Sequence, residues 1–533
     1  MASSPSSSSS PRDLTGASAS SSPRTPTRLR GHEVNPLLPS SGSSSPARSN
    51  GRESGNGSRA VEIEAPESEG GDSVPAFSWK KMLKFSGPGF LMSVAFLDPG
   101  NLEGDLQSGA VAGYSLLWLL LATTLMGLLI QILAMKLGVA TGRDLAEICR
   151  DEYPFWSRIT LWVMAEIALI GADIQEVIGS AIAIKILSNG VLPLWAGVLI
   201  TAADCFIFLL LDDNYGVKFL EAFFALLISI MAISFGWMFL ESAPSGAHLL
   251  RGLLVPKLTS ASIQQAVGVV GCVITPYNVF LYSALVPPRV DRSRRRLVRE
   301  AMNYFTIESW VAVSASFLIN LFVMSVFAEG FHGAPEAETI GLVNAGEFLQ
   351  RRFGGGNFPI LYIWGIGLLA AGQSSTISGT YAGQFIMGGF LHLPISPWLR
   401  SLITRSCAIL PTIIVAVMFK RSEQLLDVIN EWLNVLQALQ IPFAILPLLH
   451  LVADDRIMGS FAITADLQKI CWIVAGLVIS VNGYVLVDFF VSKVGGFVLR
   501  FLVFLGGGAY VAFVVYLISH GRRRAAGFSY LRT

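Results

Sequence analysis

From residue 77 onward the chain is a succession of apolar blocks, and their length limits what it can fold into. Twelve such blocks occur, at about 85–108, 115–139, 157–187, 192–211, 217–240, 263–287, 303–328, 357–378, 401–419, 431–452, 469–491 and 497–519. Each reaches the roughly 20 residues that a helix needs to cross a bilayer. Only 14% of the residues are charged, against about 25% in soluble domains. The expectation is an all-α polytopic membrane protein with about 12 transmembrane helices. A net charge of +1 gives no reason to expect a nucleic-acid partner. Five cysteines, Cys149, Cys205, Cys272, Cys407 and Cys471, lie in or beside apolar blocks with no CxxC pair. Neither a disulfide framework nor a zinc site is indicated.

Residues 1–75 are rich in Ser, Pro and Gly and nearly free of large apolar side chains. Such a segment cannot bury enough surface to offset ordering entropy, so a disordered tail is expected. Its polar start is not that of a signal peptide. One island, Glu33-Val-Asn-Pro-Leu37-Leu38, has the ExxxLL form. It resembles the acidic-dileucine signals that sorting adaptors read on proteins bound for vacuoles or lysosomes; the alternative is a stretch of tail without a role. The expected organisation is this tail, a transmembrane domain over 77–519 and a short basic tail over 520–533. Lys80, Lys81 and Lys84 precede the first span, five arginines follow the sixth (289, 292, 294, 295 and 296), and Arg522–Arg524 follow the last. The connection at 329–350 is acidic instead. The positive-inside bias places both termini in the cytosol, in agreement with an even number of spans.

Two spans are interrupted. The first contains VAFLDPGNLEGDLQSG, with Asp98 and Asn101 flanking Pro99-Gly100. Proline lacks an N–H and clashes with the carbonyl four residues back, so Pro99 should release the carbonyl of Ala95. Gly100 lets the chain turn. In lipid such a break is tolerated only where it is buried in protein or lines a wet cavity. A carboxylate at that depth is by default a functional-site candidate. In the sixth span Pro276 should release the carbonyl of Cys272, with Thr275, Tyr277 and Asn278 around it. Either break alone reads equally as a proline kink. Two discontinuous spans, five apart in order, point to an inverted-repeat transporter with its site at the midplane. The third span adds Glu166, Asp173 and Glu176, spaced seven and three apart on one helix face. Such acids either serve a proton or cation path or pair with arginines to hold helices together.

DPGN in the first span, GADIQEVIGSAIAIKIL in the third, LYIWGIGLLAAGQSSTISGTYAGQF in the eighth and NEWLNVLQALQIPFA in the tenth resemble the NRAMP family of divalent-metal transporters. The resemblance runs from about residue 80 to 491 and is nearest to the plant branch that includes vacuolar members. It implies a LeuT-like fold, in which spans one to five and six to ten are inverted repeats. It implies symport of Mn²⁺- or Fe²⁺-type ions with protons by alternating access, the metal being cargo rather than cofactor. It implies a metal site of Asp98, Asn101 and the carbonyls of Ala95 and Cys272, joined in some conformations by Asn434. Glu166, Asp173 and Glu176 match its proton-path positions, and Arg405 matches a basic partner in the ninth span. A monomer in the vacuolar rather than the plasma membrane is expected.

The chain departs from this family where the motif reads Met-Pro-His-Asn, followed by a second histidine. Here those places hold Thr275, Pro276, Tyr277 and Asn278, then Tyr282. A thioether favours softer metals, whereas oxygen donors suit Mg, Ca and Mn. Thr275 therefore predicts a harder site, with weaker Cd²⁺ binding. A related plant branch with a similar pattern is associated with aluminium, so harder cations are an alternative cargo. Tyrosine titrates near pH 10 and histidine near 6.5, which puts proton coupling through Tyr277 and Tyr282 in question. A transport-inactive sensor would also fit these changes. So would a LeuT-like symporter for an organic solute, although Asp98 would repel the carboxylate of such a substrate. No nucleophile–base pair suggests an enzyme.

Overall fold

Where they are described, the twelve apolar blocks fall on helices, and the described residues contain no strand. The computed structural model describes residues 78–85, 88–93, 96–215, 217–259, 262–286, 295–353, 359–392, 397–418, 424–493 and 497–529. All belong to one unit, Ser58–Thr533. Glu33, Leu37 and Leu38 lie outside them. Nine helical stretches among the described residues are long and apolar enough to cross a membrane. The count is below twelve because the first and second spans join through a 3₁₀ turn at Gly113–Leu116, while the fourth and ninth are only partly described.

The first span is two helices, Pro88–Ser93 and Pro99–Ala112. The second is Leu117–Thr141 and ends at Gly142, whose φ of +75° closes the helix with an N–H to the Gly138 carbonyl. The third is Phe155–Leu187. The sixth is again two helices, Ile263–Val273 and Pro276–Leu285. The seventh, eighth and tenth are Arg295–Phe331, Ile360–Leu391 and Gln424–Val452. The last helix, Phe497–Ser529, continues ten residues beyond its apolar block into the basic end of the chain. Among the described residues four short helices lie between spans: Leu145–Glu152, Gly246–Leu254, Leu342–Phe353 and Asp455–Met458.

Burial follows position in the bundle. Windows of the third and sixth spans are 78% and 89% buried, whereas those of the last two are 22% and 11%. The last two spans therefore present their apolar sides outward, as a lipid-facing periphery requires. The third, sixth and eighth spans form the interior, around Trp364, Tyr277 and Tyr282.

Candidate functional site

Asp98 stands in an extended conformation (φ −70°, ψ 164°) just before the helix Pro99–Ala112. Pro99 occupies the first helical position, where a missing N–H loses nothing and a fixed φ helps the start. The proline thus opens a new half-helix instead of kinking an old one. The Asp98 carboxylate accepts from the Asn101 backbone N–H at 2.6 Å and from Asn101 Nδ2 at 3.0 Å. The positive end of the half-helix favours a carboxylate there. Asp98 is 4% exposed and Asn101 fully buried.

Two polar groups of the seventh span hold the break. Ser316 Oγ donates to the Ser93 carbonyl at 2.8 Å, and Asn320 Nδ2 donates to the Phe96 carbonyl at 2.8 Å. These are carbonyls that a continuous helix would have satisfied itself. Ala95, between them, lies outside the described residues.

The sixth span breaks the same way. Ile263–Val273 stops, Ile274 and Thr275 bridge, and Pro276 opens Pro276–Leu285. The Cys272 carbonyl is one of the last four of its half-helix, which lack an intrahelical partner. The Cys272 side chain packs against Gly104, where an added Cβ would meet Sγ at 2.7 Å. Cys272 is also within electrostatic reach of Asp105 and Asp98, so the two broken spans face each other at their ends.

Thr275 makes no side-chain cap to its helix; its hydroxyl accepts from Asn278 Nδ2. Both line a cavity of about 30 Å³ with Gln131, Met92, Phe96 and Val273. Tyr277 is fully buried, beside the Asn278 amide and within electrostatic reach of Glu176, Asp98 and Asp173. The Tyr282 hydroxyl is 2.7 Å from Ser309 Oγ.

Glu166, Asp173 and Glu176 are all buried on the third span, and Glu166 accepts from Trp162 Nε1 at 3.0 Å. Gln175, which carries no signal of its own in the sequence, links this span to the tenth. Its Nε2 donates to Asn434 Oδ1 at 2.8 Å and to the Asn430 carbonyl at 3.0 Å, and its Oε1 accepts from Gln437 Nε2. Gly100 lies against the same group: an added Cβ would sit 2.8 Å from Gln175 Oε1 and 3.3 Å from Asn434 Oδ1. Asn434 is thereby held opposite the first break. Arg405 is on the ninth-span helix Pro397–Met418, but its side chain lies outside the described residues.

Two further buried acids, Glu103 and Asp105, follow the first break. Glu103 accepts from the Leu342 N–H at 2.7 Å and from Gln107 Nε2 at 2.5 Å. Both acids stand in the LEGDLQSG stretch inside an apolar block, and intramembrane ionisable residues are functional candidates by default. Among the described residues no group of three or more His, Cys, Asp or Glu is arranged to hold a metal.

Two facing broken helices in a multi-pass bundle, with a buried carboxylate at one break, define a membrane transporter rather than an enzyme. The chain is similar over its bundle to the Eremococcus coleocola manganese transporter in a solved mutant structure, with a TM-score of 0.76 and 29% identity over 84% of this chain and 97% of that one. It matches Mhp1, a nucleobase-cation-symport-1 family transporter, at a TM-score of 0.53 and 15% identity over 83% and 93%, which shows the shared LeuT-like fold alone. Residues 89–488 match the natural resistance-associated macrophage protein-like family, Nramp. The chain is 66% identical to metal transporter Nramp2 of Arabidopsis thaliana over 462 residues, covering 86% of this chain and 87% of that protein. It belongs to the Nramp family of metal transporters.

Proposed function

We propose that the protein carries Mn²⁺- or Fe²⁺-type cations by alternating access, through a site of Asp98, Asn101 and the carbonyls of Ala95 and Cys272, joined in some conformations by Asn434. The observation that carries this reading is the pairing of half-helix ends. Asp98 and Asn101 stand on the opening turn of one half-helix. The Cys272 carbonyl belongs to the negative end of the other. Manganese is the first cargo to test because the E. coleocola relative is named for it.

Thr275 puts oxygen where the family motif has sulfur, which makes the site harder and weakens discrimination against hard ions. Tyr277 replaces an imidazole with a phenol, so proton movement falls to Glu166, Asp173 and Glu176, with Arg405 as basic partner. The acidic-dileucine sequence would direct the protein to the vacuolar membrane, with both termini cytosolic. Its expected working form is a monomer.

The test is flux into proteoliposomes for Mn²⁺, Fe²⁺, Cd²⁺, Mg²⁺, Ca²⁺ and Al³⁺, with a pH-sensitive dye inside. Mn²⁺ entry should be abolished by Asp98→Ala. Thr275→Met should shift preference toward Cd²⁺ by about tenfold, the effect of ~1.4 kcal/mol of binding. Strong Cd²⁺ entry with proton uptake that Thr275→Met leaves unchanged would exclude the hardened site. No flux of any ion, with Asp98→Ala indistinguishable from the parent, would favour a sensor.

A further inference from the structure

The half-helix Pro99–Ala112 carries more chemistry than the break uses. Asp98, Asn101, Asp105 and Ser108 are spaced three, four and three, so they follow one face. Asp105 lies seven residues beyond Asp98, about 10 Å along the axis at the rise of an α-helix. It is fully buried, and neither carboxylate oxygen has a hydrogen-bond partner. No Lys, Arg or His forms an ion pair with it among the described residues. A buried carboxylate without compensation is strongly disfavoured unless a cation or a proton joins it.

The facing half-helix has a matching stripe. Gln265, Gly268 and Cys272 are spaced three and four on Ile263–Val273. Ser108 Oγ lies 3.5 Å from the Gln265 carbonyl, which registers the two stripes at their far ends. The Cys272 thiol packs on Gly104 and is within electrostatic reach of Asp105. Between them, a Cβ added at Gly268 would meet nothing within 4 Å. Gln265 as a whole is only partly buried, but its Oε1 is buried and has no hydrogen-bond partner. From the far end inward, the stripes therefore present an unpartnered amide oxygen, open space, a bare carboxylate within electrostatic reach of the Cys272 thiol, and then Asp98.

We infer that Asp105 and Cys272 Sγ form a second, transient station for the transported divalent cation, on the side of the Asp98 site opposite the N-terminus. Gln265 and the space at Gly268 are its approach. The station rests on the metal-transport reading and extends it from one site to a route. It also supplies a soft donor that Thr275 does not, so soft ions dwell longer there than at Asp98.

The experiment has two arms. In proteoliposomes, Asp105→Asn lowers Mn²⁺ flux at least about tenfold, as expected for loss of an intramembrane charge on an ion pathway, and Asp105→Glu restores part of it. In the second arm Cys149, Cys205, Cys407 and Cys471 are replaced by serine, and Asp98→Asn disables the first site. A small thiol reagent then labels Cys272. Mn²⁺ or Cd²⁺ slows the labelling, Cd²⁺ at lower concentration, and the added Asp105→Asn change removes the protection. If the parent moves no metal, the transport reading itself fails. If the parent moves Mn²⁺ and Asp105→Asn moves it equally fast, the station alone is overturned. It is equally overturned if Asp105→Asn moves metal at the parental rate but abolishes the accompanying proton movement, because Asp105 then serves protons only. Labelling that metal does not slow, or no labelling at all, also refutes it, since the approach must admit small solutes to Cys272.

Discussion

Changing Gln175 to leucine is the most direct test of how the third and tenth spans position the site. Leucine is similar in volume, so the packing change is small. The polar change is large. Gln175 Nε2 no longer donates to Asn434 Oδ1 (2.8 Å) or to the Asn430 carbonyl (3.0 Å), and Gln437 Nε2 loses its acceptor. Asn434 and Gln437 are 6% and 2% exposed, so water cannot readily take over. Two buried side-chain groups left short of partners cost about 1–3 kcal/mol each. The expected destabilisation is therefore about 2–6 kcal/mol, read as unfolding free energy in detergent. Asn434→Ala alone removes one bond, at about 1 kcal/mol, because Gln175 keeps the Asn430 carbonyl. In the Gln175→Leu background the same change removes only an orphaned acceptor and should be neutral or stabilising. The double-mutant cycle should thus show a coupling of roughly 1–2 kcal/mol, as expected for contacting residues. Mn²⁺ affinity should fall in Gln175→Leu as well, because Asn434 is no longer held opposite Gly100. Additivity to within about 0.5 kcal/mol, with unchanged Mn²⁺ affinity, would refute the amide ladder as the device that places Asn434.

Gly179→Ala would put a Cβ 2.5 Å from Pro99 Cβ, so the start of the half-helix must move; overpacking of about 1–3 kcal/mol and lower Mn²⁺ flux are expected. Gly171→Ala on the same helix first meets an atom at 3.6 Å and is the tolerated control, so equal effects of the two would contradict the close approach. Asp144, between the second and third spans, caps Leu145–Glu152 by accepting from the Glu147 N–H at 2.7 Å. Burial, and then the neighbouring Glu147, push its carboxyl up from 3.8 to about 7, against the opposing pull of its backbone bonds and Arg150. The folded state therefore holds a proton that the unfolded state has released, and stability falls as pH rises from about 4 through about 7. Asp144→Asn keeps a good cap and should flatten this decline in thermal scans at about pH 5 and pH 8; an unchanged slope would assign it elsewhere. Leu37→Ala with Leu38→Ala should move a reporter fused to residues 1–75 away from the vacuolar membrane, and an unchanged location would remove the signal.

The two breaks were legible because their cause is local. A proline beside a carboxylate, an amide or a hydroxyl, deep in an apolar block, is too costly to stand where nothing uses it. The groups that make the breaks tolerable were not legible. Ser316 and Asn320 read as scattered polar residues of the seventh span, and their partners Ser93 and Phe96 lie more than 220 residues earlier. Gln175 is silent between two acids for the same reason, since its meaning comes from Asn434 and Gln437, some 260 residues later. The inverted repeat supplies the rule that single-span reading lacks. The seventh span follows the sixth, and it sends an amide, Asn320, to the break of the first. The second span follows the first, and its amide, Gln131, lines the cavity at Thr275 and Asn278 beside the break of the sixth. Each break is therefore attended by the span that succeeds the other, as a pseudo-two-fold axis in the membrane plane requires. The correspondence is one of position: Asn320 donates to a carbonyl of the first break, whereas Gln131 lines the cavity beside the sixth without a hydrogen bond to it. Thr275 and Tyr277 thus stand in a frame to which spans of both repeats contribute.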